Sequence, residues 1–239
     1  MNSNNPTPFW AVVPVKKFIC AKTRLSQILT PSEREAIAKV MLHDVLKVLL
    51  EVREIVGIIV VTSDKAAENI AKLYGCNVLH DNKDSGTNSA IIQAANWISK
   101  EKMGGIVTIP ADVPFTRVDE LRYLISSVKN ENMVLSPDRH GAGTNFLAAQ
   151  NPCAIEYCFG PNSYPLHVAM ARKQSIGPVM VECQSIAWDI DTPDDLFPDM
   201  NLMLQSSSKE TIKFLTLKKC VFSKRILNTN LEISQVFNI

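Results

Sequence analysis

The chain has 239 residues, 46% hydrophobic and 21% charged, which suits one large globular domain with a substantial core. A formal net charge of +1 excludes a global field for nucleic acid or a membrane surface, so any basic site has to be local. No apolar run approaches the roughly 20 residues of a membrane span. The opening MNSNNPTP lacks the basic and apolar regions of a signal peptide, and the six cysteines (20, 76, 153, 158, 183, 220) form no Cys-x-x-Cys pair. These features predict a soluble cytoplasmic protein with reduced thiols.

After a disordered tail over residues 1–8, Trp10–Val15 (WAVVPV) predicts a short buried strand. Thr30-Pro31-Ser32-Glu33 predicts a helix start, with Thr30 as N-cap, Pro31 in the first turn and Glu33 closing a capping box. Apolar positions 37, 41, 45 and 48 give that helix a buried stripe to about Val52. Val56–Thr62 is a second strand, buried on both faces. Ser63 can cap a helix through Tyr74, which Gly75 ends. A brief strand at Asn77–Leu79, a helix from Asn88 to about Lys100, a strand at Gly105–Ile109 and a helix from about Arg117 to Lys129 follow. Asn132–Leu135 and Phe146–Ala149 are strand candidates, Ser163 to about Gln174 is helical, Pro178–Cys183 is a strand, and Thr192-Pro193 opens one more helix. Such alternation predicts an α/β fold, a mostly parallel sheet with helices on both faces, over a domain of residues 9–205. Residues 206–239 then form a C-terminal appendage. In such sheets ligands bind beyond the carboxyl ends of strands, at a switch point, so the loops after strands are the places for chemistry.

Four stretches qualify. After the first strand, Lys16, Lys17, Lys22 and Arg24 lie within nine residues, a set that can hold a triphosphate or can be a solvated basic loop. Asp112 of Thr108-Ile109-Pro110-Ala111-Asp112-Val113-Pro114 leaves an apolar strand between two prolines. It fits a Mg²⁺ ligand, which works with one or two carboxylates and phosphate oxygens, or a turn aspartate. Asp189 and Asp191 are two apart on an extended segment and face one side, where two like charges call for a cation between them. Asp194 and Asp195 read as structural, in the first turn of a helix that Thr192 caps.

The fourth stretch is Ser136–Phe146 (SPDRHGAGTNF) with Phe159-Gly160-Pro161-Asn162-Ser163. Gly141 and Gly143 let the backbone turn and expose its amides, Thr144 offers a hydroxyl, Arg139 a charge and His140 a donor. Gly160 and Ser163 lie at a helix start that favours an anion. The combination reads as a mould for an anionic ligand. A solvent-facing His140 and a plain N-cap role for Ser163 are the ordinary alternatives.

Five stretches, VPVK…AKTRL (Val13–Leu25), TIPADVP (Thr108–Pro114), SPDRHGAGTN (Ser136–Asn145), FGPNSY (Phe159–Tyr164) and DIDTPDDL (Asp189–Leu196), run in one order over roughly residues 9–200. In that order they resemble the 2-phospho-L-lactate guanylyltransferase family of deazaflavin (coenzyme F-420) biosynthesis. The resemblance implies a nucleotidyltransferase fold, like that of glycosyltransferase type A domains. It implies an enzyme that joins GMP from GTP to a small phosphorylated three-carbon acid and releases pyrophosphate. The acids used in the family are 2-phospho-L-lactate, phosphoenolpyruvate and 3-phospho-D-glycerate.

Carried onto this chain, the resemblance puts the cofactor Mg²⁺ on Asp112, Asp189 and Asp191, and the phospho-acid on Thr144, Gly160 and Ser163. Arg139 and Gly143 join the acid side from the loop's composition. Lys16, Lys22, Arg24 and Asn88 are expected at GTP, with Asp112, Lys22 and Arg24 as the catalytic set. The family tends to carry Gly-Leu-Asn near the base, where this chain has Gly86-Thr87-Asn88. A phosphate monoester has its second pKa near about 6, so as nucleophile it needs no general base. Accordingly no catalytic triad is expected. The partners are GTP and the phospho-acid, not nucleic acid or a membrane, and a homodimer is compatible with the sequence. Two other readings are a nucleotidyltransferase for a sugar phosphate or molybdopterin, and a phosphate-ligand sensor without catalysis. The first usually carries a glycine-rich loop after strand one, whereas no glycine precedes Gly57 here; the second would tolerate loss of one of the three aspartates.

Overall fold

A computed structural model of the protein describes residues 8–81, 86–129 and 132–218. Residues 1–7 of the expected tail, and residues 219–239 of the expected appendage with Cys220, lie outside the described residues. The sheet consists of β1 (Phe9–Val15), β2 (Ile55–Thr62), β3 (Asn77–His80), β4 (Gly105–Thr108), β5 (Asn132–Pro137), β6 (Thr144–Ala149) and β7 (Gly177–Met180). Their order is β3-β2-β1-β4-β6-β5-β7. β6 runs antiparallel to both its neighbours, and every other pair is parallel. This is the mostly parallel mixed sheet that the strand–helix alternation predicts.

Helices cover both faces: α1 (Pro31–Leu50), α2 (Lys65–Leu73), α3 (Thr87–Lys100), α4 (Val118–Ser126), α5 (Ser163–Lys173), α6 (Gln184–Ala187) and α7 (Met200–Gln205). Residues 209–218 are helical as well. One core lies between the sheet and α1, α2, α4, α6 and α7; the other lies under α3 and α5. β1 feeds both, because successive side chains point to opposite faces. Ala11 and Val13 enter the first core and Val12 the second, all fully buried.

α1 begins as its sequence dictates. Glu33 N donates to Thr30 Oγ1 at 3.3 Å, and Thr30 N donates to Glu33 Oε2 at 2.8 Å. Its stripe of Ile37, Met41, Val45 and Val48 is buried. Three expectations shift. Asp64, not Ser63, caps α2: its Oδ1 accepts from Ala66 N (2.8 Å) and Ala67 N (3.1 Å), while Oδ2 accepts from Phe18 N (2.8 Å). A carboxylate serves the helix and the loop after β1 at once, which one hydroxyl could not do. β7 ends at Met180, and the helix opened by Thr192 is a single 3₁₀ turn, Pro193–Leu196. Beyond α7, Leu215 enters the first core and Thr211 N donates to Asp44 Oδ2 of α1 at 2.7 Å, so residues 209–218 pack on α1. Among the described residues no helix is long and apolar enough to cross a membrane, and Cys20, Cys76, Cys153, Cys158 and Cys183 are free thiols.

Replacing Thr30 by alanine removes half of the capping box. The expected cost is about 1 kcal/mol of stability, read as a lower urea midpoint with an unchanged slope.

Candidate active site

β1 and β4 are neighbours whose chains cross over in opposite directions, β1 towards β2 and β4 towards β6. Beyond their carboxyl ends lies a cleft of about 380 Å³, where an open sheet of this kind takes its ligands. Lys16, Lys22, Arg24, Asp112, Asp191 and Thr87 at the start of α3 line it.

Lys22 stands in the middle. Its backbone is left-handed, with φ 54° and ψ 40°, a conformation that costs a non-glycine residue about 1–3 kcal/mol and clusters at functional sites. The turn aims the side chain inward, leaving it 8% exposed. Nζ donates to Asp112 Oδ2 at 2.5 Å and lies 3.6 Å from Asp191 Oδ1. Burial by itself would lower the Lys22 pKa; the charges of Asp112 and Asp191 outweigh it and hold it above its ordinary value, so the ammonium stays charged. Arg24 differs. Its side chain is 72% exposed, and Nη1 donates to Asp191 Oδ2 at 2.6 Å from the rim.

Asp189 faces the same cluster from behind. Asn145 of β6 donates from Nδ2 to Asp189 Oδ1 at 3.2 Å and to Ile186 O at 3.0 Å. Burial, and then the Asp112 charge, push the Asp189 carboxyl up to about 6. The main chain joins in, with Ile190 N donating to Asp112 O at 2.9 Å. Asp112 and Asp191 thus pair with one buried ammonium, and Asp189 adds its charge without a direct contact. Among the described residues no three acidic, His or Cys side chains are grouped as a cage for a metal. The expected three-aspartate set is thus gathered around Lys22.

The SPDRHGAGTN loop is a knot rather than an open mould. Asp138 Oδ1 accepts from His140 N (3.0 Å) and Ala142 N (2.9 Å), and Oδ2 from Gly143 N (2.7 Å). The loop's exposed amides already hold an anion, its own carboxylate. Gly143 is needed because a Cβ there would lie 2.7 Å from Asp138 Oδ2. Arg139 also has other partners than the expected acid. Its guanidinium pairs with Asp195 and lies 4.4 Å from the Trp188 ring centre, and its Nε donates to His140 Nε2 at 3.1 Å. It fastens this loop to the 188–195 segment.

Thr144 and Ser163 do come together. Thr144 N donates to Ser163 Oγ at 2.9 Å, and Thr144 Oγ1 lies 2.9 Å from His167 Nδ1. Gly160, at φ 136°, turns the chain so that its carbonyl accepts from Ser163 N at 3.1 Å. Ser163 is the first residue of α5, not its cap, which is Asn162. Asn88, expected at the nucleotide, braces this turn: Oδ1 accepts from Phe159 N at 2.7 Å and Nδ2 donates to Phe159 O at 3.0 Å.

The family model described as guanylyl transferase CofC like matches residues 9–236 of the chain. The chain belongs to this family. Among its relatives, the 2-phospho-L-lactate guanylyltransferase of Methanobrevibacter smithii is 32% identical over 86% of this chain and 88% of its own length. The phosphoenolpyruvate guanylyltransferase of Sphaerobacter thermophilus is 33% identical over 78% and 89%. Solved structures carry the same fold at low identity. A putative nucleotide-diphospho-sugar transferase from Desulfovibrio desulfuricans superposes with a TM-score of 0.66 at 13% identity, covering 88% of this chain and 97% of that one. A nucleotidyl transferase from Methanothermobacter gives 0.59 at 14%, covering 86% and 98%. The sheet of this CofC-like guanylyl transferase is therefore a nucleotidyltransferase α/β fold.

Three residues at this CofC-like site escaped the sequence: Asp138, Asn145 and His167. Asp138 and Asn145 lie beside the residues singled out; Asp138 bonds to amides of its own loop, and Asn145 to Ile186 and Asp189, far along the chain. His167 gave no signal beyond lying one turn after Ser163 on α5. Its ring is buried against Thr144, Cys158 and Phe159, and burial pushes it down to about 4. The unfolded chain takes up a proton near about 6.5 while the folded ring does not. Stability from this group is hence complete above about 6.5 and lost as pH falls towards 4, by at most about 3 kcal/mol. Urea midpoints at pH 7.5 and pH 5 should show that loss in the wild type and a smaller one in His167→Gln.

Proposed function

We propose that the cleft joins GMP, from GTP, to the phosphate of a small phosphorylated three-carbon acid and releases pyrophosphate, as a step of deazaflavin cofactor biosynthesis. One observation carries this reading: a buried, charged Lys22 ammonium held by Asp112 and Asp191 in a cleft at the sheet's switch point. It agrees with the relatives, whose names specify 2-phospho-L-lactate and phosphoenolpyruvate as acids.

In the proposed reaction a dianionic phosphate oxygen of the acid attacks the α-phosphorus of GTP. A new P–O bond forms, the bond from α-phosphorus to the bridging oxygen breaks, and pyrophosphate leaves with the electron pair. No proton has to be removed from the nucleophile. The barrier lies in bringing two anions together, which aligned cations lower. Lys16, Lys22 and Arg24 would serve the triphosphate. Thr144, Gly160 and Ser163 would serve the acid, with Asn88, Gly143 and Arg139 holding the loops that present them.

The donor set also fits Mg²⁺. Its hard carboxylate oxygens carry more negative charge than Lys22 balances, and the raised Asp189 carboxyl reflects that excess together with burial. Mg²⁺ takes one or two carboxylates and fills its shell with water and phosphate oxygens, so no protein cage is required. One or two of Asp112, Asp189 and Asp191 would hold it. When bound it would neutralise charge on the phosphates.

The test is pyrophosphate release in Mg²⁺, with GTP, ATP and CTP each against 2-phospho-L-lactate, phosphoenolpyruvate and 3-phospho-D-glycerate, and product mass read directly. The expected result is a GTP-dependent product with one acid. Asp112→Asn should lower kcat by about 100-fold or more, the scale of a lost electrostatic group in an active site. Wild-type rates in that variant would remove Asp112 from the mechanism. No product from any pair, with protein that binds GTP, would overturn the reaction.

A further inference from the structure

We infer that His167 is a positioning residue for the acid subsite: it holds the Thr144 hydroxyl as an acceptor and so leaves that hydroxyl's proton to an oxyanion of the substrate. The inference rests on the proposed function in taking Thr144 and Ser163 as the acid's partners.

The geometry fixes the tautomer. Cys158 N donates to His167 Nε2 at 2.9 Å. A backbone amide can only donate, so Nε2 carries no proton and the neutral ring carries its proton on Nδ1. Nδ1 lies 2.9 Å from Thr144 Oγ1, so the ring donates and the hydroxyl accepts. Protonation of Nε2 would set donor against donor, in keeping with a ring that stays neutral near pH 7. Ser163 is arranged in the same way. Its Oγ accepts from Thr144 N at 2.9 Å, which leaves its own proton over. Two buried hydroxyls are thus each occupied as acceptors by fixed N–H groups. Among the described residues neither hydroxyl proton has a protein acceptor. Paired O–H donors with no acceptor suit phosphate or carboxylate oxygens.

The ring cannot swing away. It is 1% exposed, Phe159 packs against it edge-on at 4.7 Å between centres, and Asn88 pins the Phe159 main chain through two hydrogen bonds. A histidine serving only to fill space would need neither polar partner. This one joins the 158–163 turn to β6 through both nitrogens, and the link ends on the hydroxyl proposed to meet substrate.

The experiment separates the two nitrogens. His167→Gln offers an acceptor near Nε2, keeping Cys158 N paired, and takes the donor from Thr144. His167→Asn keeps an N–H near Nδ1. In His167→Gln the KM for the acid should rise about 10-fold or more, the scale of one hydrogen bond in a charged contact, with the KM for GTP within about twofold. His167→Asn should recover the acid KM to within about threefold of wild type. An unchanged acid KM in folded His167→Gln, or equal KM values for acid and GTP rising together in both variants, would overturn the inference. If His167→Gln does not fold, His167→Asn decides: retention supports the role, and loss from a folded protein overturns it. Calorimetric titration with 2-phospho-L-lactate, phosphoenolpyruvate and 3-phospho-D-glycerate separates this from the reaction. Binding of one acid to wild type without guanylyl product would overturn the reaction alone, and the variants' affinities would still judge His167. A wild type that binds none of the three would overturn both.

Discussion

A single buried ammonium organises the cleft. Lys22 Nζ draws the loop after β1 onto Asp112 at the end of β4 and onto Asp191 of the 188–192 segment. These three pieces are distant in sequence; the bond of Ile190 N to Asp112 O and the pair of Arg24 with Asp191 also join them. Breaking a buried pair by removing one partner typically costs about 3–5 kcal/mol, because the other charge is left uncompensated. The Lys22 ammonium is thus already placed and desolvated, which is the condition under which electrostatics lower a barrier most.

β6 transmits this order to the other side of the sheet. It is the one strand running against the rest, so its first residues lie beside the exit of β4. Consecutive residues on a strand point to opposite faces. Asn145 therefore reaches Asp189 and the Lys22 cluster, while Thr144 reaches His167 and Ser163 under α5. The two clusters meet at adjacent residues of one strand. The turn before them needs a defined shape, and Asp138 supplies it by binding three amides of its own loop.

Much of the fold was legible in the residues. The Thr30–Glu33 box, the stripe at 37, 41, 45 and 48, and the apolar runs of β1 and β2 are local patterns, and local patterns survive folding. The site was legible as a set of loops, three of them expected after strands and one at a helix start; in the structure Asp189 and Asp191 follow α6 instead. Roles within it were less legible. Asn88 and Arg139 have the chemistry of ligand-binding groups but bond to Phe159 and Asp195, residues far away in the chain. The loop amides read as free in the sequence, because it does not reveal that Asp138 curls back onto them.

What the sequence determined by itself is the alternation of strand and helix, the loops that carry charge, and the family these imply. Each follows from short-range rules of period, capping and residue type. What only the tertiary structure decided is which charges meet. That Lys22 sits among three carboxylates, that Asn88 braces a turn, and that His167 presents the Thr144 hydroxyl depend on strand order and on the antiparallel course of β6. Those bring together groups far apart along the chain, and a hydrogen bond's partner is set by distance in space rather than by separation in sequence.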